Sequence, residues 1–120
     1  MNTVQEGDII LTDIPQANGQ IKSRPALVLR QILPFNDFLL YGISSQLRHA
    51  VPNLDIIIDK THPDFQHSGL TVPSLVRVTF LTVKPLNTIA GAIGYISHST
   101  HQQLLKNLSD YLTRQGAFKP

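Results

Sequence analysis

Residues 7–29 read GDIILTDIPQANGQIKSRPALVL, and this stretch holds the pattern that decides the fold. A short apolar run over residues 9–11 leads into a polar segment, residues 16–23, and a second apolar run begins at Pro25. The polar segment has Asn18-Gly19 at its centre, a pair that tolerates positive φ and marks a tight chain reversal. The stretch therefore predicts two neighbouring antiparallel strands joined by a loop over residues 16–23.

Further short apolar or β-branched runs follow, each bounded by turn residues. They predict four more strands, over residues 38–43, 54–58, 74–83 and 93–96. Six short strands separated by Gly and Pro turns favour a small β-barrel over a layered α/β fold.

The C-terminal part changes to the period of a helix. Its apolar stripe consists of Leu104, Leu105, Leu108, Tyr111 and Leu112. This stripe predicts an amphipathic helix from about residue 99 to residue 115. Ser99 with Gln102 fits a capping box, Ser97 is an equally good N-cap, and Gly116 suits the position just past the helix end.

The composition indicates one globular domain over residues 1–120, with no linker or internal repeat. Apolar residues make up 42% of the chain and charged residues only 15%, so part of the surface is expected to meet another subunit. The absence of cysteine excludes disulfides and thiolate metal sites. We find no signal-peptide pattern and no apolar run of about 20 residues, so we expect a soluble, cytoplasmic protein.

The net charge is only +2, but the acids are unevenly placed. Residues 14–36, 38–54 and 65–109 contain no Asp or Glu, and these stretches hold Arg24 and Arg77 among their cations. Long acid-free stretches let a modest net charge become a local positive field that suits an anionic partner. On charge alone, scattered solvated charges are the favoured interpretation.

Three stretches, taken in order, carry a family resemblance. They are GDIILTD at 7–13 with RPALVL at 24–29, ISSQ at 43–46, and GLTVPSLVR at 69–77 with IGYIS at 93–97. The ordered set resembles the MazF/PemK toxins of type II toxin–antitoxin systems over nearly the whole chain. The resemblance implies a mainly β fold with a C-terminal helix, the SH3-like small β-barrel shared by MazF, PemK and CcdB toxins, and a homodimer.

The same resemblance implies an activity and partners. The better-known members of the family are sequence-specific endoribonucleases that cleave single-stranded RNA without a metal or other cofactor. A small acidic antitoxin protein neutralises them. We therefore expect RNA as the substrate, an antitoxin as a partner and no membrane association.

The resemblance assigns catalysis to Arg24, Ser44 and Arg77. Arg24 is the arginine of the family's Arg-Pro-Ala motif, and its planar, always charged guanidinium suits a phosphate. Ser44 stands where the family has threonine and keeps the hydroxyl donor. Arg77 matches the arginine of a Val-Arg-x-Asp motif found in one branch, but Thr79 replaces the acid, which leaves the proton-accepting group open.

Polar side chains near these positions are the predicted substrate contacts. They are Asn18, Gln20, Lys22, Gln46, Arg48 and His49. Amides can hydrogen-bond base edges, as in other readers of single-stranded RNA. His49 could carry a proton in place of the missing acid, although an ordinary loop histidine is the simpler interpretation.

Two other histidine pairs, His62 with His67 and His98 with His101, have spacings that could suit a metal. No third ligand accompanies either pair, so we predict no metal site.

Two functions from different classes remain. The first is an endoribonuclease toxin, favoured by Arg24 together with a hydroxyl at residue 44. The second is a non-catalytic or degenerate toxin-fold domain that binds a protein target, as the related gyrase poisons do, or nucleic acid. Thr79 in place of the acid favours the second, and an RNA cleavage assay separates them.

Overall fold

The computed structural model describes residues 4–120, so the first three residues of the predicted domain lie outside the described part. Six strands carry the fold: β1 (Asp8–Pro15), β2 (Ile21–Ile32), β3 (Asp37–Ser44), β4 (Ile56–Ile58), β5 (Ser74–Lys84) and β6 (Ala92–Tyr95). Two α-helices accompany them, the short α1 (Phe65–Ser68) and the C-terminal α2 (His98–Thr113). Single 3₁₀ turns occupy Leu47–His49 and Leu86–Thr88. Within residues 4–120 no helix is long and apolar enough to cross a membrane.

All six strands belong to one sheet in the order β4-β5-β3-β2-β1-β6, and every neighbouring pair is antiparallel. The sheet curls into a half-barrel. In the described part of the chain its edge strands β4 and β6 do not pair with each other, and α1 packs against β6. The predicted mainly β fold, a small barrel with a C-terminal helix, is confirmed in this open form.

The sheet has a core on each face because strand side chains alternate between faces. Leu27 and Leu29 of β2 join the core that includes Tyr41 and the helix residue Leu104. Ala26 and Val28 join the second core, on the opposite face. The Tyr41 hydroxyl also donates a 3.1 Å hydrogen bond to the carbonyl of Leu104, which fixes α2 against the first core.

The prediction of a loop over residues 16–23 is wrong at its C-terminal end. The chain does reverse at Asn18-Gly19, where Gln16 N donates to Gln20 O at 2.7 Å and Gly19 has φ 85°. However, Lys22 pairs with Ile14 and Ser23 with Asp13, so the ladder to β1 continues through polar residues. Backbone pairing holds these exposed positions in the strand, and Arg24 consequently lies inside β2 rather than at its start.

Helix α2 is confirmed over His98–Thr113, against a predicted range of about 99–115, and one of its two predicted N-caps is the observed one. Ser97 is the N-cap, and its hydroxyl oxygen accepts a 3.2 Å hydrogen bond from Thr100 N. The alternative capping box at Ser99 fails because Ser99 is already inside the helix. The helix ends at Thr113 with Arg114 as its C-cap, so Gly116 lies beyond it.

Two glycines let α1 and β6 touch backbone to backbone. A Cβ on Gly94 would collide with the carbonyl groups of His67 and Ser68, and a Cβ on Gly69 would collide with the carbonyl of Ile93. Gly69 also has φ 74°, the left-handed conformation that ends α1. The junction between α1 and β6 therefore depends on the absence of side chains at these two positions.

A buried carboxylate connects the segment before α1 to the start of α2. Asp64, just before α1, is only 4% exposed, and the Ser97 hydroxyl donates to its Oδ2 at 3.1 Å. Burial alone would raise the pKa of Asp64. Hydrogen bonds from the Thr100 side chain and from the backbone and side chain of Ser97, with the nearby His62, outweigh burial and hold the pKa below its usual value.

This lowered pKa predicts a loss of stability in acid. A carboxyl group with a depressed pKa in the folded state stabilises the fold at neutral pH, and that contribution is lost as pH falls below about 4. We expect the free energy of unfolding of the wild type to fall more steeply below pH 4 than that of Asp64→Asn. Urea titrations of both proteins between pH 7 and pH 3 measure this. Parallel pH profiles would contradict it.

Candidate active site

A cleft of about 430 Å³ opens on the sheet. Its walls come from β1, β2, β3, the segment 69–74 that follows α1, and β6. Apolar side chains such as Leu11, Leu70 and Ile93 form much of the wall. Arg24 and Ser44, two of the three predicted catalytic residues, line this cleft together.

Strand register explains why Arg24 and Ser44 meet. Ala26 of β2 pairs with Gly42 of β3. Arg24 lies two residues before Ala26, and Ser44 lies two residues after Gly42, so in these antiparallel strands both lie toward the same end of the sheet and each shares the face of its neighbour. Two residues 20 positions apart in the sequence thus reach one site.

The Arg24 guanidinium has an unused hydrogen-bond donor. Its Nε is buried and has no hydrogen-bond partner within residues 4–120, and none of the described carboxylates forms an ion pair with it. Buried polar atoms are nearly always paired, since an unpaired one costs free energy. The arrangement is suited to an acceptor supplied by a bound molecule, such as a phosphate oxygen.

Ser44 is the last residue of β3, and its hydroxyl is half engaged. Its Oγ accepts a 3.0 Å hydrogen bond from Gln46 N, as in an ordinary turn. In the described part of the chain the hydroxyl hydrogen has no acceptor, so Ser44 can still donate into the cleft. The next residue, Ser45, also lines the cleft and was not predicted, although it belongs to the same ISSQ motif.

Arg77 lies elsewhere. It lines a separate cleft of about 400 Å³ with Gln16, Thr79 and Phe80, and its guanidinium carbon is 5.4 Å from the Phe80 ring centroid. Residues 78–80 form an irregularity in β5, because Gly42 pairs with Arg77 while the preceding Tyr41 pairs with Leu81. The structure therefore does not bring Arg77 into the cleft of Arg24 and Ser44.

The six predicted substrate-contact residues are all exposed and lie outside the cleft. Asn18 and Gln20 sit in the β1–β2 loop, where Gln20 N donates to Asn18 Oδ1 at 3.0 Å. Lys22 lies on β2, two residues before Arg24 and on the same face.

The other three follow β3, in the turn after Ser44. Arg48 Nη1 donates to Gln46 Oε1 at 2.6 Å, and His49 ends this turn. The predicted substrate-contact residues therefore belong to segments that lead directly into Arg24 or out of Ser44.

The described residues that line the cleft can donate hydrogen bonds to a ligand, but they include no group that would abstract a proton. Arg24 is the one charged residue among its described lining residues, which include hydroxyls but no carboxylate or imidazole. Likewise, no group of three or more His, Asp or Glu side chains within residues 4–120 could hold a metal ion. The site is therefore built to bind and stabilise negative charge.

Comparison with known proteins assigns the family. The fold and the Arg24–Ser44 cleft define a small β domain with a cleft suited to an anion. The model of the PemK-like, MazF-like toxins of type II toxin–antitoxin systems matches residues 5–112, and this chain belongs to that family. No curated protein sequence matches the chain.

Two solved structures have a similar fold. The Mycobacterium tuberculosis toxin MazF-mt6 superposes with a TM-score of 0.65 at 18% identity, covering 91% of this chain and 99% of that chain. An endoribonuclease in complex with its cognate antitoxin, from Mycobacterial species, also superposes with a TM-score of 0.65, at 12% identity, covering 96% and 100% of the two chains.

Proposed function

We propose that this protein is an endoribonuclease toxin that cleaves single-stranded RNA in the cytoplasm, without a metal and at specific sequences. Its family is a toxin family, and a neighbour of the same fold is an endoribonuclease. The observation that carries the proposal is the buried, unpartnered Nε of Arg24, a residue that lines one cleft together with Ser44. Such a pair suits the phosphate of an RNA chain, which offers oxygens to both donors.

The reaction that fits these residues uses the RNA's own 2′-hydroxyl as the nucleophile. Its oxygen forms a bond to the adjacent phosphorus, and the bond from phosphorus to the 5′-oxygen breaks. Arg24 stabilises the additional negative charge on the phosphate, and Ser44 donates a hydrogen bond to one of its oxygens. Arg77 lies in a separate cleft, so its proposed contribution is the attraction of its positive charge for the phosphates of the same RNA.

The proton transfers need groups beyond the cleft lining. His49 is exposed in the turn that follows Ser44, and it is the nearest imidazole along the chain to the catalytic pair. An imidazole can both accept and donate a proton, which suits proton transfer. We propose that His49 takes the proton of the 2′-hydroxyl and that a proton returns from it to the leaving 5′-oxygen, with water as the alternative carrier for both.

The exposed polar side chains around the cleft are proposed to recognise the RNA sequence. Asn18, Gln20 and Gln46 offer amides for base edges. Lys22 and Arg48 offer positive charge for the flanking phosphates.

The proposed partners are a second copy of the chain and an antitoxin. Several large apolar side chains are exposed, among them Leu81 and Val83 of β5, and a homodimer burying about 1,200–2,000 Å² would cover part of this surface. The antitoxin is expected to be small and acidic, because the acid-free stretches around Arg24 and Arg77 favour negative charge. Its acidic segment would then compete with RNA for the cleft.

An RNA cleavage assay tests this function. Purified protein should cut a long single-stranded RNA in the presence of EDTA, since no step uses a metal. Ser44→Thr should cut at a similar rate because the hydroxyl is kept, whereas Ser44→Ala should be about 10–100-fold slower because a donor to a charged group is lost. RNA binding with no cleavage by the wild type would instead support the non-catalytic domain.

A further inference from the structure

A stacked aromatic pair lies exposed at the junction of α1 and β6. The rings of His67 and Tyr95 are nearly parallel, with an interplanar angle of 8° and a centroid separation of 5.3 Å. Tyr95 remains 51% exposed and His67 is also exposed. The pair therefore still presents aromatic surface to solvent, and nothing in the Arg24–Ser44 chemistry accounts for it.

The pair is continuous with the catalytic cleft. Gly69 and Ile93, which line that cleft, lie two residues from His67 and Tyr95 in the same two segments. Ile93 and Tyr95 share one face of β6, and two strand residues span about 6.6 Å. An extended single-stranded RNA bound at Arg24 can therefore pass over Ile93 and reach the aromatic pair.

The junction holds the pair in place before any ligand arrives. Gly94 and Gly69 allow the close backbone contact of β6 with α1, and the Ser68 hydroxyl both donates to Phe65 O at 2.8 Å and accepts from Leu70 N at 3.1 Å. A ring held in this way loses little conformational entropy on binding.

The geometry points to a base-stacking subsite: we propose that Tyr95, supported by His67, stacks on a base of the same RNA strand whose phosphate contacts Arg24. This inference rests on the proposed function for the class of ligand. Tyrosine and histidine are both used to stack unpaired RNA bases, and such stacking accepts any base. The His67–Tyr95 pair, here called the platform, therefore adds affinity for single-stranded RNA, while the polar side chains around the cleft provide sequence specificity.

The chain contains no tryptophan, so Tyr95→Trp introduces a single fluorescent reporter at the platform. The probe is a 12-nucleotide 2′-O-methyl RNA of random sequence, which cannot be cut because the nucleophilic hydroxyl is blocked. We expect the probe to quench the fluorescence of Tyr95→Trp. The matched control is Tyr111→Trp on α2, since Tyr111 is 41% exposed and is not among the residues lining the cleft. Equal quenching in both variants, or none at residue 95, would overturn the proposal.

Truncation gives the second readout. Tyr95→Ala should weaken binding of the 2′-O-methyl RNA about tenfold, the loss of one base–aromatic stack, while Tyr95→Phe and Tyr111→Ala should bind as the wild type does. Circular dichroism and thermal melting establish that Tyr95→Ala is folded. If folded Tyr95→Ala binds RNA normally, or if only its self-association or antitoxin binding changes, the pair serves packing or a protein partner and the proposal fails.

These outcomes separate the subsite from the proposed function. If the wild type binds the probe through Tyr95 but cuts no RNA, the proposed nuclease activity is refuted and the base-stacking subsite is supported. Conversely, if Tyr95→Ala cleaves RNA with kcat and KM both unchanged, the nuclease activity is supported and the base-stacking subsite is refuted.

Discussion

Replacing Arg24 with alanine is expected to lower the rate of RNA cleavage by about 10²–10³-fold, the usual cost of losing one donor that stabilises transition-state charge. The expectation follows from the cleft itself, where Arg24 is the one charged side chain among the described lining residues. No neighbouring cation there could take over its role. Initial rates on a long single-stranded RNA, measured at equal concentrations of folded protein, test it.

Two further variants show whether shape or charge matters at this position. Arg24→Lys should recover little activity, because an ammonium lacks the planar fork that can contact two phosphate oxygens. Arg30→Ala is the matched control, since Arg30 lies on the same strand but is exposed and its Nε is 3.6 Å from Glu6 Oε2. It should cut at the wild-type rate. Cleavage by folded Arg24→Ala as fast as the wild type would refute the role of Arg24.

The strand centres could be predicted because they bury continuous apolar runs, as residues 26–29 do on both faces of the sheet. The polar start of β2 could not, since Lys22 and Ser23 are exposed and their strand conformation comes from pairing with β1. Helix α1 was also missed. It has only four residues, too few to show a helical period, and its position depends on contact with β6.

Arg24 and Ser44 were predicted as catalytic residues from short motifs, and the sheet register explains why they line one cleft. The separate position of Arg77 could not be predicted, because it depends on the irregular pairing of residues 78–80 in β5. The His67–Tyr95 stack was equally hidden. Its rings are 28 residues apart in the sequence and meet only through the docking of α1 on β6.

That docking makes Gly94→Ala the substitution with the largest expected effect on stability. The added Cβ would collide with the carbonyl groups of His67 and Ser68, which are backbone atoms and cannot rotate away as a side chain could. Relief requires α1 to separate from β6. We expect the free energy of unfolding to fall by about 3 kcal/mol, at the upper end for overpacking. The melting temperature should drop by about 10 °C, measured by circular dichroism.

Gly91→Ala provides the control, because nothing lies within 4 Å of a Cβ built at Gly91, just before β6, and its φ is not positive. It should melt within about 2 °C of the wild type. Loss of the junction should also disturb the cleft wall formed by Gly69 and Ile93, so Gly94→Ala should cleave RNA more slowly even where it remains folded. A Gly94→Ala protein as stable and as active as Gly91→Ala would mean that the close contact of α1 with β6 is not needed for either property.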